Sequence, residues 1–213
     1  MVGTSWTTHN SEHSLLHPYP VGKPMKRPQI VIAAIAVVAV LAIGITQLGS
    51  NSTQRGATPS LTAAQRALAG SPPALDALHH DANRLLPGSG LTAQIKALRG
   101  HPIVVNAWGS WCAPCRAEFP VFQRVSAQLG KRVAFLGLDV QDPKGDAAKF
   151  LTANPVTYPS YEDFDQAIAN RYGLIGTPST IFYDARGRKV FLHSGPYRSD
   201  AVLRTDIKRY AGA

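Results

Sequence analysis

Residues 102 to 130 constrain the fold more than any other stretch. "PIVVNAW" is an apolar run of strand length, and after a short link Phe119, Phe122, Val125 and Leu129 recur every three or four residues up to Gly130. A buried strand running directly into an amphipathic helix is the opening of an α/β layer. Both cysteines of the chain, Cys112 and Cys115, fall at that junction. The pattern then repeats. "RVAFLGLDV" (132–140) reads as a second strand, and "PKGDAAKFLTANP" as a helix with Asp142 as N-cap and Pro143 at its first position. A shorter helix is expected from about Asp163 to Tyr172, stopped by Gly173. "STIFYD" and "KVFLHS" are strands joined through "ARGR", where Gly187 signals a hairpin, and an amphipathic helix covers about Asp200 to Tyr210. These elements predict a layered α/β domain of about 110 residues.

Upstream, "ALDALHHDANRLL" (74–86) has helical spacing closed by Pro87-Gly88, with His79 and His80 expected on the surface, and "LTAQIKALRG" suggests a further short helix ended by Gly100. Residues 49–73 read as a spacer with a short helix from Leu61 to Leu68. Before it, "IVIAAIAVVAVLAIGI" (30–45) is apolar throughout and reaches 19 residues when extended to Leu48. That approaches the roughly 20 residues of a membrane-crossing helix and exceeds the 7 to 15 or so of a signal-peptide core. Lys23, Lys26 and Arg27 precede it. The positive-inside rule therefore puts residues 1–28 in the cytoplasm, makes 29–48 a single-pass, uncleaved anchor in the cell membrane, and sends 74–213 outside as the extracytoplasmic domain. The tail is polar and Pro-rich. Its His9, His13 and His17 share a helical spacing, but Pro18 and Pro20 break any such helix, so no metal site is expected there. The net charge of +9 is scattered, with no basic arm or stripe, which argues against nucleic acid as a partner.

A disulfide between positions 112 and 115 closes too short a loop to restrain the unfolded chain, which argues for chemistry rather than stapling. A cysteine at a helix N-terminus has a lowered pKa, because unpaired N–H groups and the positive dipole end favour the thiolate. Three residues on, Cys115 lies almost one turn away on the same face, placed to resolve a mixed disulfide formed at Cys112. Zinc sites built on C-x-x-C need a second pair or histidines at ligand spacing, and the chain has no further cysteine.

Trp111, Cys112, Pro114 and Cys115 resemble the W-C-x-P-C active site of thioredoxin-fold proteins, a central mixed β-sheet flanked by helices. Pro120 matches the proline that kinks the active-site helix of that fold, and "GTPST" resembles its second signature, a cis Thr177–Pro178 peptide beside the cysteines. Where general thioredoxins carry a buried Asp, this chain has Asn106, and Glu118 sits three past Cys115. That pattern, with the anchor, is similar to the TlpA/ResA/DsbE group of membrane-tethered thiol–disulfide oxidoreductases. The resemblance implies an extra strand–helix insertion between Asp139 and Gly173. It also implies that Trp111, Pro114, Thr177 and Pro178 contact the substrate, with Thr177 pairing to an extended chain like an added strand. The group's N-terminal β-hairpin is hard to see, since 74–100 reads helical.

Glu118 has two readings: a base that takes the Cys115 proton, or a solvated helix residue paired with Arg116 or Arg124. Asn106 is expected behind the site as a hydrogen-bonding support, and Trp108 in the core or the active-site wall. No cofactor is implied beyond the redox-active disulfide Cys112–Cys115. By resemblance the chain is a reductase of protein disulfides, with apocytochrome c as client and a membrane thiol carrier of the CcdA or DsbD kind as electron donor. Two alternatives share its motifs. One is an oxidant like DsbA, differing only in potential. The other is a copper carrier like Sco proteins, with His193 as third ligand.

Overall fold

The strand before the cysteines, β2 (Ile103–Trp108), is buried at every position. It sits inside a six-stranded sheet in a computed structural model that describes residues 57–143 and 145–212. The expected tail and anchor lie outside the described residues. Sheet order is β1-β4-β3-β2-β5-β6, where β1 is Leu85–Leu86, β3 Ala134–Val140, β4 Ser160–Asp163, β5 Ser179–Tyr183 and β6 Lys189–Ser194. The first four strands in that order run parallel, and β5 and β6 are antiparallel additions beyond β2.

Both faces of the sheet are covered, as a mostly parallel sheet requires. Successive side chains of β2 point to opposite faces. Val104 and Trp108 join one core with Phe119, Phe122, Tyr158 and Tyr197, while Ile103, Val105 and Ala107 join a second with Leu75, Leu91 and Leu98. Trp108 is fully buried. Its ring meets Phe119 edge-on at 5.1 Å between centroids, and its indole N–H donates to Ser160 Oγ at 3.2 Å. Burying rings of this size stabilises the fold by about 2–3 kcal/mol each. The helices are α1 (Leu61–Leu68), α2 (Pro73–His80), α3 (Leu91–Ala97), α4 (Ala113–Leu129), α5 (Asp146–Ala153), α6 (Ala167–Tyr172) and α7 (Asp200–Asp206), the last continuing as a wider turn to Ala211. None of these described helices is long and apolar enough to cross a membrane.

Several expectations are corrected. The helix expected over 74–86 stops at His80, because Asn83 takes a left-handed conformation (φ 63°). There its amide donates to Leu151 O and its Oδ1 accepts from Val156 N. Leu85 and Leu86 are thereby freed to pair with Ser160 and Tyr161 as a strand. His79 is half-buried rather than on the surface, and that burial lowers its pKa. The folded part begins before residue 74: Ser60 caps α1, and Ala64 and Leu68 of that helix are buried against α4. Asp142 is not a helix cap and Pro143 is not a first helical residue, since α5 starts after Gly145, whose φ of 87° suits glycine. The helix expected from Asp163 begins at Ala167. Asp163 ends β4 instead, and its carboxylate accepts from Ile168 N and Ala169 N at the start of α6.

Candidate active site

The site is assembled where β2 hands over to α4. Cys112 is the N-cap of α4, extended at φ −81° and ψ 105°, and its Sγ accepts from Cys115 N at 3.2 Å. Pro114 fits the first turn because a residue there has no intrahelical N–H bond to lose. Pro120 lies inside the helix, where its missing N–H leaves one rung of the backbone ladder unmade. The two sulfurs are bonded to each other, with Cα atoms 5.2 Å apart. Their exposures differ in the sense thiol exchange needs: Cys112 keeps 4 % and Cys115 none. Of the two, Cys112 is the one with any surface left for a second protein chain to meet.

Beside this junction Trp111 is half-exposed, with its indole N–H donating to Val140 O at 3.2 Å. It walls a cleft of about 200 Å³ together with Val140, Gln141, Leu174, Ile175 and Thr177. Ile175 is 90 % exposed, an apolar side chain on the rim with nothing over it. Thr177 precedes a cis peptide to Pro178, as the resemblance implied, and Pro178 itself is buried and is not among the residues lining the cleft. Trp111 and Thr177 are therefore brought together. Pro114 is exposed on the first turn of α4 and does not line that cleft.

Glu118 is fully buried, so its reading as a solvated residue paired with an arginine does not hold. Arg124 is instead held by Asp200, with Nη2 to Oδ1 at 2.7 Å. Glu118 Oε1 accepts from Asn106 Nδ2 at 2.8 Å, and Oε2 accepts from the backbone N–H of Tyr197 at 2.9 Å. Loss of water raises its pKa to about 7, and the two hydrogen bonds only partly offset that rise. A carboxyl titrating near neutrality, one helical turn beyond Cys115, can accept a proton and return it. Asn106 has its Oδ1 buried without a partner. Turned over, that amide would accept from the protonated carboxyl as readily as it now donates to the carboxylate.

Sequence reasoning missed Tyr197, whose contribution is a backbone N–H far along the chain that no side-chain pattern announces. It also missed that Asp142 binds Ser110, since an Asp before Pro reads first as a helix cap. His193 does not join the cysteines in any metal cluster, and no group of three ligating side chains exists among the described residues. Its ring stacks on Tyr197 at 4.3 Å, with Nδ1 4.0 Å from Asp206.

The AhpC/TSA family model matches residues 81–198. DsbE of Escherichia coli (strain K12), a thiol:disulfide interchange protein, is 32 % identical over 173 residues, which is 80 % of this chain and 87 % of that one. The DsbE homologue of Paracoccus denitrificans is 36 % identical over 94 residues, 44 % of this chain, and the match spans only half of that relative's length. The crystal structure of a DsbE-type thiol:disulfide interchange protein from Chlorobium tepidum superposes with a TM-score of 0.51 at 27 % identity, covering 58 % of this chain and 89 % of that one. On its fold, its cysteine junction and these matches, the chain belongs to the AhpC/TSA family and, within it, to the thioredoxin-like proteins of the DsbE type.

Proposed function

We propose that this protein is a thiol–disulfide oxidoreductase that reduces disulfides of other proteins from the outer face of the cell membrane. The observation that carries the reading is the asymmetry of the pair: a reachable Cys112 at a helix N-terminus, a buried Cys115, and a buried near-neutral carboxyl one turn further on. In the reduced chain the N-terminal end of α4 favours the Cys112 thiolate. That thiolate attacks one sulfur of the client disulfide, forming a Cys112–client mixed disulfide and expelling the other client sulfur, which takes a proton. Cys115 then loses its proton to Glu118 and attacks Cys112 Sγ. The second client sulfur leaves as a thiolate and takes up the proton that Glu118 gives back, and the chain keeps the Cys112–Cys115 disulfide. The client has gained two electrons from the chain and two protons, one from Cys115 by way of Glu118 and one from water. Trp111, Thr177 and the Ile175 rim hold the client as an extended segment in the cleft, with Pro114 at the exposed edge of the cysteine loop.

Resemblance supports the finer setting. The client is the oxidised Cys-x-x-Cys-His segment of apocytochrome c, and a membrane thiol carrier of the CcdA or DsbD kind restores the dithiol. An oxidised peptide carrying that segment, mixed with the reduced full chain, should lose one disulfide per protein molecule. A client peptide still oxidised after prolonged mixing contradicts the reading. The apolar run at 30–45 supports the tether. Protease added to intact protoplasts should remove the 74–213 domain, and full protection of that domain would place it on the wrong side.

A further inference from the structure

The link Gly109–Trp111, between β2 and Cys112, is held from outside itself at every polar group of Ser110. Its N–H donates to Asp142 Oδ2 at 2.7 Å, its hydroxyl donates to Asp142 Oδ1 at 2.5 Å, and its carbonyl accepts from Arg116 Nη1 at 2.8 Å. Hydrogen bonds to a carboxylate are roughly twice as strong as neutral ones. Asp142 is only 6 % exposed, and Asp139 of β3, 4 % exposed, lines the same hollow. Burial first, and the neighbouring carboxyl of Asp142 next, favour the protonated form of Asp139. Both oxygens of Asp142 are engaged by donors from Ser110. Asp139 Oδ1 is buried and meets no donor at all.

We propose that Asp142 is a positioning residue for the reactive disulfide, clamping Ser110 and hence the Trp111 wall of the client cleft, with the buried Asp139 set beside it in the same hollow. The proposal rests on the reading of Cys112 as attacker and adds what presents it. The surroundings favour the protonated state from every side. Burial raises the pKa of Asp139 most, followed by Asp142 itself and then Glu162 and Asp163 of β4, to about 9. Asp163 is already committed to the start of α6, Asp165 lies on the rim of the same hollow, and Arg116 faces the Ser110 carbonyl rather than the carboxyls. Lys144 lies outside the described residues. When Asp139 ionises, its charge and that of Asp142 repel across the hollow, which loosens the hold of Asp142 on Ser110.

The test uses the oxidised full chain, in which neither cysteine can titrate, and follows the Trp111 indole N–H signal by NMR between pH 7 and pH 10. It should move with a single midpoint near 9. It should stay fixed in Asp139→Asn, where the amide is uncharged at every pH. With reduced protein and client peptide at pH 7, Asp142→Asn should raise KM about tenfold while kcat stays within about twofold, because it loosens binding geometry rather than the sulfur chemistry. Ser110→Ala, which leaves both carboxyls in place, should give a smaller rise of the same kind. An equal Trp111 titration in Asp139→Asn, or an unchanged KM in both other variants, overturns the clamp. If the wild-type chain reduces no peptide, the reductase reading fails, and the Trp111 titration still decides this proposal.

Discussion

Replacing Cys112 with serine should abolish disulfide reduction, a loss of at least about 10⁴-fold, because a hydroxyl at a helix N-terminus supplies no thiolate at neutral pH. Replacing Cys115 with serine should do something different. The first exchange needs only Cys112, so the variant should attack the client and stop, since nothing remains to resolve the adduct. Mass spectrometry of a Cys115→Ser reaction should therefore show chain and peptide joined at Cys112, and Cys112→Ser should show no adduct. The asymmetry follows from burial: Cys115 has no exposed surface from which to meet a client, whereas Cys112 keeps a little. An adduct on Cys115 in the Cys112→Ser variant would reverse the two roles. Equal turnover by either variant and the wild type would remove the cysteines from the reaction altogether.

The second large effect is expected at Glu118. As a proton acceptor for Cys115 it should contribute about 100-fold to resolution of the mixed disulfide. Its carboxyl titrates at about 7, so the base form accumulates as pH rises through neutrality. Resolution by the wild type should rise between pH 6 and pH 8, and in Glu118→Gln it should be slow and flat over that range. Glutamine suits the site sterically: its oxygen can accept from Tyr197 N, and its amide can donate to the unpartnered Oδ1 of a turned Asn106. The same group makes a stability prediction. Its folded pKa of about 7 lies above the model-peptide value of 4.5, so between those values the folded chain holds a proton that the unfolded chain has released. Stability contributed by Glu118 is thus complete below about pH 4.5 and is lost as pH rises through about 7, by about 3 kcal/mol. Denaturant unfolding at pH 5 and at pH 8 should differ by that amount more in the wild type than in Glu118→Gln. Matching pH profiles for both resolution and stability would return Glu118 to a passive role.

The parts of this molecule legible in the sequence are those set by local periodicity or by a short motif. β2, α4, β3 and the β5–β6 hairpin follow from apolar spacing and Gly187, and the cysteine junction follows from where the strand meets the helix. The errors have a common cause: a long-range contact outweighed a local preference. Leu85 and Leu86 continue a helical spacing, yet Asn83 is tied to Leu151 and Val156, and the pair becomes the edge strand beside β4. Asp142 before Pro143 is a good local cap, yet it is taken by Ser110, 32 residues earlier. Glu118 illustrates the limit for the site itself. Its spacing from Cys115 made it a candidate, but a Glu on a helix is normally solvated, and only the packing of Tyr197 and Asn106 over it shows a buried, near-neutral carboxyl.

The central claim, that electrons leave this chain for a client, is tested most directly by the reduction potential of Cys112–Cys115. It can be measured by equilibrating the full chain with reduced and oxidised glutathione and counting free thiols. A thiol donor of this kind should lie below about −220 mV, among the thioredoxin-like reductants. A value near −120 mV, roughly that of a strong oxidant whose reduced form is the stable one, would contradict the account and reverse the direction of electron flow.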